Sequence, residues 1–227
     1  MRTIQVIGSG SAKVRPDLTV MDVTLEGTEE TYAAALKRST VDTEKLKDIF
    51  ESFGFARTEL KTRLFHVYEK FETVDDDDLD DDDDEPKERS VGFTFDHEMK
   101  IEFDSDNALL SKIIFTLAKS DIRPRFNIRH TVKNREAVKK DLTGKAVADA
   151  KDKAETLAAA AGVKLVRIQS IDYTRGDYRM EVNPLRELCN LRKIADFNDD
   201  LFGGYTLDIE PEDIDISDSV TVIWEIE

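Results

Sequence analysis

The sequence predicts an α+β protein: a two-layer sandwich with a ferredoxin-like βαββαβ subdomain and a second α+β subdomain built from both chain ends. Three observations predict it. Segments whose apolar residues alternate every second position are interleaved with segments whose apolar residues recur every three to four. From residue 18 to 133 these follow as strand, helix, strand, strand, helix, strand, the split βαβ order. The remaining segments, one strand ahead of that block and a long helix with further strands behind it, lie at the two chain ends and can share a second layer. On this reading one subdomain is 18–133, with an acidic hairpin tip at 75–88. The other is 1–17 with 134–227, carrying an irregular insertion at 174–212.

Residues 3–8 (TIQVIG) read as the first strand, and Gly8-Ser9-Gly10-Ser11 as a turn or bulge after it. Residues 18–26 (LTVMDVTLE) form the second strand, set off by Pro16-Asp17. In 29–53, Tyr32, Leu36, Ser39, Thr43, Leu46, Phe50 and Phe53 keep one face of a helix toward a core. Thr28 is the expected N-cap, Glu29 and Glu30 suit the positive end of the helix, and Gly54 suits its exit. Residues 58–74 and 91–103 read as the two strands of a long hairpin. In the second of them Val91, Phe93, Phe95, His97, Met99, Ile101 and Phe103 share a face, so one side of that sheet is covered.

Asp106 is the expected cap of a helix over 107–120, and Phe126, Ile128, His130 and Val132 alternate in the following strand. Asn134 caps the longest helix, 135–161, which Gly162 ends. Its inward stripe is Val138, Leu142, Ala146, Ala150, Ala154, Leu157 and Ala161, and alanines let a helix sit close on a sheet. Residues 165–173 and 214–226 read as strands. In the last of these, Ile214, Ile216, Val220, Val222, Trp224 and Ile226 face one way. Between them, Asn183-Pro184 predicts the start of a short helix over 184–195, with Pro at its first position.

Composition narrows the function classes. A chain of 227 residues buries roughly 70% of its surface on folding, enough for a core without staples. One cysteine, Cys189, excludes an internal disulfide and a cysteine-cluster zinc site. No apolar run approaches the ~20 residues of a membrane span, and Met1-Arg2-Thr3-Ile4 leads into a strand pattern rather than a signal sequence, so a cytoplasmic location is expected. Net charge is −16, and residues 75–85 (DDDDLDDDDDE) place ten acidic side chains in eleven positions. The body is therefore only mildly acidic. Its field repels phosphate backbones, so nucleic acid is not an expected partner.

Few residues point to chemistry. Gly8-Ser9-Gly10-Ser11 is not a phosphate loop, because it lacks the lysine and leads into a strand rather than a helix. His97 and His130 fall in phase with apolar neighbours and are expected to be buried and hydrogen-bonded; proton transfer or ligation is the alternative. His66 has no clear phase. Cys189 shares a helical row with Leu185 and is expected as an apolar filler, the alternative being a thiol activated by Arg186, Arg192 and Lys193. The acidic tract lacks the spaced ligands and turn glycine of a calcium loop, so a solvated tip is expected, with weak divalent-cation or basic-protein binding as the alternative. No residue is assigned as catalytic, cofactor-binding or metal-ligating, and no cofactor is expected.

Four segments resemble the SIMPL-domain family, a mostly bacterial group long labelled a domain of unknown function. They are IQVIGSGSAKVRPDLTVMDVTL at the start, the first helix with Gly54 and the strand containing Lys61-Thr62, LTGKAVADAKDKAETLAAAAGVKLVRIQSI at 142–171, and VTVIWEIE at the end. The third is the most specific, through its A-x-x-D-A-x-x-K-A-x-x-L-A pattern running into Gly-Val. The Asp-rich insertion and the long 174–212 segment depart from the family pattern. The resemblance implies a two-layer α+β protein in two subdomains. Some members are linked to oxidative-stress defence, others are envelope antigens, many are exported, and at least one builds a hollow homo-oligomer. No catalytic residue carries over.

The expected function is that of a non-enzymatic protein working as a homo-oligomer or through a partner, with a stress-related role among those the resemblance implies. Two alternatives stand beside it: an enzyme with a cleft site between subdomains using His66 or His130, and a cation or basic-partner binder acting through the Asp tract.

Overall fold

A computed structural model of the chain describes residues 2–74, 87–173, 180–185 and 210–227. Its elements are β1 (Arg2–Val14), β2 (Leu18–Glu29), α1 (Tyr32–Ser52), β3 (Lys61–Val74), β4 (Lys87–Asp104), α2 (Asn107–Lys119), β5 (Arg125–Thr131), α3 (Arg135–Ala161), β6 (Leu165–Asp172), β7 (Glu181–Leu185) and β8 (Ile214–Ile226). The strands form a three-stranded sheet ordered β1-β8-β6 and a five-stranded sheet ordered β3-β4-β2-β5-β7. The protein is thus α+β in two layers. Among the described residues it divides into two compact units: one of Met1–Leu18, His130–Val182 and Pro211–Glu227, the other of Thr19–Arg129 and Asn183–Glu210.

In the unit holding Thr19–Arg129, β2-α1-β3-β4-α2-β5 is the ferredoxin-like order, and the sheet order β3-β4-β2-β5 is the one that topology requires. Met21, Val23 and Leu25 of β2, Phe95, Met99 and Ile101 of β4, and Phe126 and Ile128 of β5 line one sheet face. They pack under Leu46 and Phe50 of α1 and Leu110, Ile113 and Leu117 of α2. Asp106 caps α2, accepting from the Ala108 and Leu109 amides. The α1 cap differs from expectation. β2 runs on to Glu29, the Thr28 hydroxyl meets that of Thr94 at 2.8 Å, and Thr31 caps α1 by accepting from the Ala34 amide. The cross-strand partner held Thr28 in the sheet, so the helix begins one residue after the next threonine.

In the unit built from the chain ends, α3 covers one face of β1-β8-β6. Asn134 caps it through the Ala137 amide, and Gly162 leaves it at φ 69° in the left-handed region. Leu142, Ala146, Ala150, Ala154 and Ala158 are its buried positions. Leu157, expected inward, is half exposed: the stripe holds a step of four to Ala158 in its last turn.

β1 corrects a second expectation. Gly8-Ser9-Gly10-Ser11 is not a turn; β1 continues through it, paired with β8 from Arg2↔Ile226 to Val14↔Ile214. The glycines are there because α3 lies directly over them. A Cβ on Gly8 would come 2.0 Å from the Ala146 carbonyl oxygen, and one on Gly10 would come 2.2 Å from that of Leu142. Small residues on strand and helix together let the two backbones touch.

β7 is the third correction. Residues 183–185 lie in a strand beside β5, so Asn183 does not cap a helix and Pro184 does not open one. The rest of the expected helix lies outside the described residues.

Candidate interaction surface

Because α1 and α2 cover one side of the five-stranded sheet, the alternate residues of its strands face the other side. That face carries charge in linked pairs. The Asp22 carboxylate on β2 accepts from Arg129 Nε and Nη2 at 3.0 and 2.8 Å, and from Arg63 Nη1 at 2.9 Å. Arg125 donates to Glu26 at 2.9 Å and stands 3.7 Å from Asp96. The same Asp96 lies 3.6 Å from His66 Nε2. His66 and Tyr68 stack, with centroids 5.3 Å apart and planes 26° from parallel. Desolvation raises the Tyr68 phenol pKa, helped by the charges of Asp96 and Glu26 and by a hydrogen bond to Asp96. The guanidinium groups of Arg63, Arg125 and Arg129 are each met by a carboxylate, so these charges form a paired lattice across β3, β4, β2 and β5 rather than a basic patch.

Beside the lattice lies an apolar edge. β3 is the outer strand, and its side chains are wet on both faces: Leu64 is 46% exposed, Phe65 42%, Tyr68 42% and Phe71 50%. Leu64 through Lys70 pair with Glu98 through Gly92 in unbroken register, between shifts at Thr62/Leu64 and Lys70/Phe71. Gly92 sits at that second irregularity with φ 120°, where a Cβ would lie 2.4 Å from the Glu29 carbonyl oxygen. Beyond it the hairpin extends past the core, and Val91, expected to point inward with Phe93, is exposed.

The histidines are not brought together. His66 is on the charged face just described. His97 is half-buried on the helix side, its Nδ1 3.0 Å from the Thr43 hydroxyl and its Nε2 2.9 Å from the Thr62 hydroxyl. Two hydroxyls satisfy a neutral imidazole in either tautomer. Burial, and then the charge of Lys47, lowers its pKa. His130 is fully buried in the other unit, and burial lowers its pKa as well. Cys189 and the acidic tract, residues 75–85, lie outside the described residues.

Sequence reasoning missed one polar cluster. Asp218, buried on β8, accepts at Oδ2 from the Tyr173 hydroxyl at 3.0 Å and from the Thr143 hydroxyl at 3.2 Å, and at Oδ1 from the Ser219 amide. Its signal was an Asp in phase with Ile214, Ile216, Val220 and Val222, an acid on an otherwise apolar face. A shallow groove of about 600 Å³ runs along β1 and α3, between Gln5, Ile7, Lys153 and Leu157. Among the described residues no group of three or more His, Cys, Asp or Glu is arranged to hold a metal ion, and no helix is long and apolar enough to cross a membrane.

A family model described as SIMPL, a protein of unknown function (DUF541), matches residues 4–224. No curated protein matches the chain. The matched span includes the β1 glycines, the alanine stripe of α3 and most of β8, the parts that fit each other most tightly. The chain belongs to the SIMPL (DUF541) family.

Proposed function

We propose that this SIMPL protein acts by association between protein surfaces, with copies of itself in the first place, rather than by chemistry on a small molecule. The observation that supports this reading is the concentration of wet apolar side chains on strands rather than in a cleft: Leu64, Phe65, Tyr68 and Phe71 on β3, and Val166, Ile168 and Ile171 on β6. Exposed strands with apolar side chains template further pairing, and a protein that keeps them does so at the cost of aggregation unless they are covered. A stress-related role belongs to the same reading, since it needs no reaction of the protein's own. The test is sedimentation velocity on the purified chain across the micromolar range. Discrete oligomers are expected. A monomer at every concentration overturns the reading.

A further inference from the structure

We infer that the assembling surface is the free edge of β3, and that its occupant is β3 of a second copy, antiparallel about a two-fold axis near His66 and Val67. This rests on the association reading above and adds the partner and the orientation.

The four sheet edges are not alike. On β1, the Asp149 carboxylate accepts from the Ser9 amide at 2.7 Å and Lys153 Nζ donates to the Ile7 carbonyl at 3.0 Å, so two charged side chains of α3 occupy the middle of that edge. β6 has eight residues and is broken by register shifts at Leu165/Arg167 and Ile168/Ser170. β7 has five residues and includes Pro184, which has no amide hydrogen to offer. Lys and Pro, bulges and shortness are the usual means of blunting an edge. β3 has 14 residues, and its central run from Leu64 to Lys70 pairs with β4 in unbroken register. Among the described residues nothing pairs with its far side.

The side chains fit a strand rather than a flat surface. Leu64 and Tyr68 share one sheet face, and Phe65 and Val67 the other, as their partners on β4 show. A strand laid along the edge covers both faces at once; a partner docked on one face leaves the other wet. The charges choose the occupant and its direction. The first third of β3 carries Lys61 and Arg63; beyond the apolar centre lie Glu69 and Glu72, with Lys70 between them. Antiparallel pairing of two copies about His66 sets each Arg63 opposite the other's Glu69, brings Lys61 close to the other's Glu72, places Lys70 opposite Thr62, and puts the apolar centre on itself. Parallel pairing would oppose like charges. The result is an isologous contact with an apolar middle and a polar rim.

The test uses the full chain in a Cys189→Ser background, which removes its one native thiol. His66→Cys or Val67→Cys, at the axis, is expected to form a self-disulfide under mild oxidation. Lys61→Cys, far from the axis, is expected not to. Separately, Leu64→Lys with Tyr68→Lys, both at exposed positions, is expected to weaken self-association at least tenfold, with far-UV circular dichroism checking that the fold persists. Oligomers that form normally in that variant, with neither axis cysteine crosslinking, overturn this proposal and leave association standing. Self-crosslinking of Lys61→Cys as well as the axis positions overturns the antiparallel orientation, since parallel strands set every residue beside its own copy; crosslinking of Lys61→Cys alone overturns the position of the axis. A wild-type chain that is always monomeric overturns both readings.

Discussion

Gly8 and Gly144 separate two reasons for a glycine. At Gly8 the neighbouring helix backbone occupies the place of a side chain, with the Ala150 amide nitrogen also 2.5 Å from a built Cβ. Gly8→Ala is therefore expected to cost about 1–3 kcal/mol through overpacking, because neither a strand in a full ladder nor a helix spine yields easily. Gly144 lies in α3 with nothing within 4 Å of its built Cβ. Gly144→Ala is expected to stabilise by about 0.5–1 kcal/mol, the helix-interior difference between the two residues. Denaturant titration of the two variants should move the midpoint in opposite directions; a shift of the same sign contradicts the close contact. Asp218 is a residue-scale case of a different kind. Asp218→Ala leaves the Thr143 and Tyr173 hydroxyls without this acceptor and is expected to cost about 1–3 kcal/mol, whereas Asp218→Asn keeps an acceptor oxygen and is expected to cost less. Equal losses from the two would mean that the hydrogen bonds are not what holds this corner.

At the scale of elements, α3 was legible to the residue at both ends. Asn134 carries the start signal in its side chain and Gly162 the stop signal in its left-handed backbone. α2 was legible for the same reason, through Asp106. The start of α1 was not. Thr28 and Thr31 are both competent caps, and the hydrogen bond between the Thr28 and Thr94 hydroxyls, far apart in sequence, decides which one serves. The same logic explains β1: a Gly-Ser-Gly-Ser run reads as a turn until a helix over 130 residues away is known to need the space. β7 follows it, since a pairing strand outweighs the local preference of Asn183-Pro184. The candidate surface was only half visible. β3 could be found as a strand, but its poor alternation hid which residues faced where. Register shifts at Thr62/Leu64 and Lys70/Phe71 interrupt its alternation, and Arg63, at the first of them, donates to Asp22.

At the scale of the whole molecule, two groups of residues contribute to the pH dependence of stability in the acid range. His97 and His130 are held below their ordinary 6.5 by burial. The unfolded chain therefore binds more protons than the folded one in mild acid. Their contribution is fully present above about pH 6.5 and is lost as pH falls from there toward the depressed folded values. Glu44, Asp121 and Asp149 are also lowered, each first by a hydrogen bond from a lysine, and their contribution is lost only in more acid solution, below their ordinary 3.8–4.5. Urea midpoints are expected to fall between about pH 7.5 and pH 5.5, before the carboxylates begin to titrate, with a shallower slope in His97→Gln. A midpoint that stays level over this interval would show that the two histidines do not sense folding.

The sequence by itself determined the α+β class, the βαββαβ order, the limits of α3 and β8, and the family. Each is written in local periodicity or in a cap that needs no partner. The tertiary structure decided what β1's glycines are for, where α1 begins, that residues 183–185 join a sheet, that Asp218 is buried among hydroxyls, and that β3, with its exposed apolar side chains, lies at the end of its sheet among the described residues. These depend on which distant segments become neighbours. A residue's pattern says which way it prefers to turn; only packing says what it meets there.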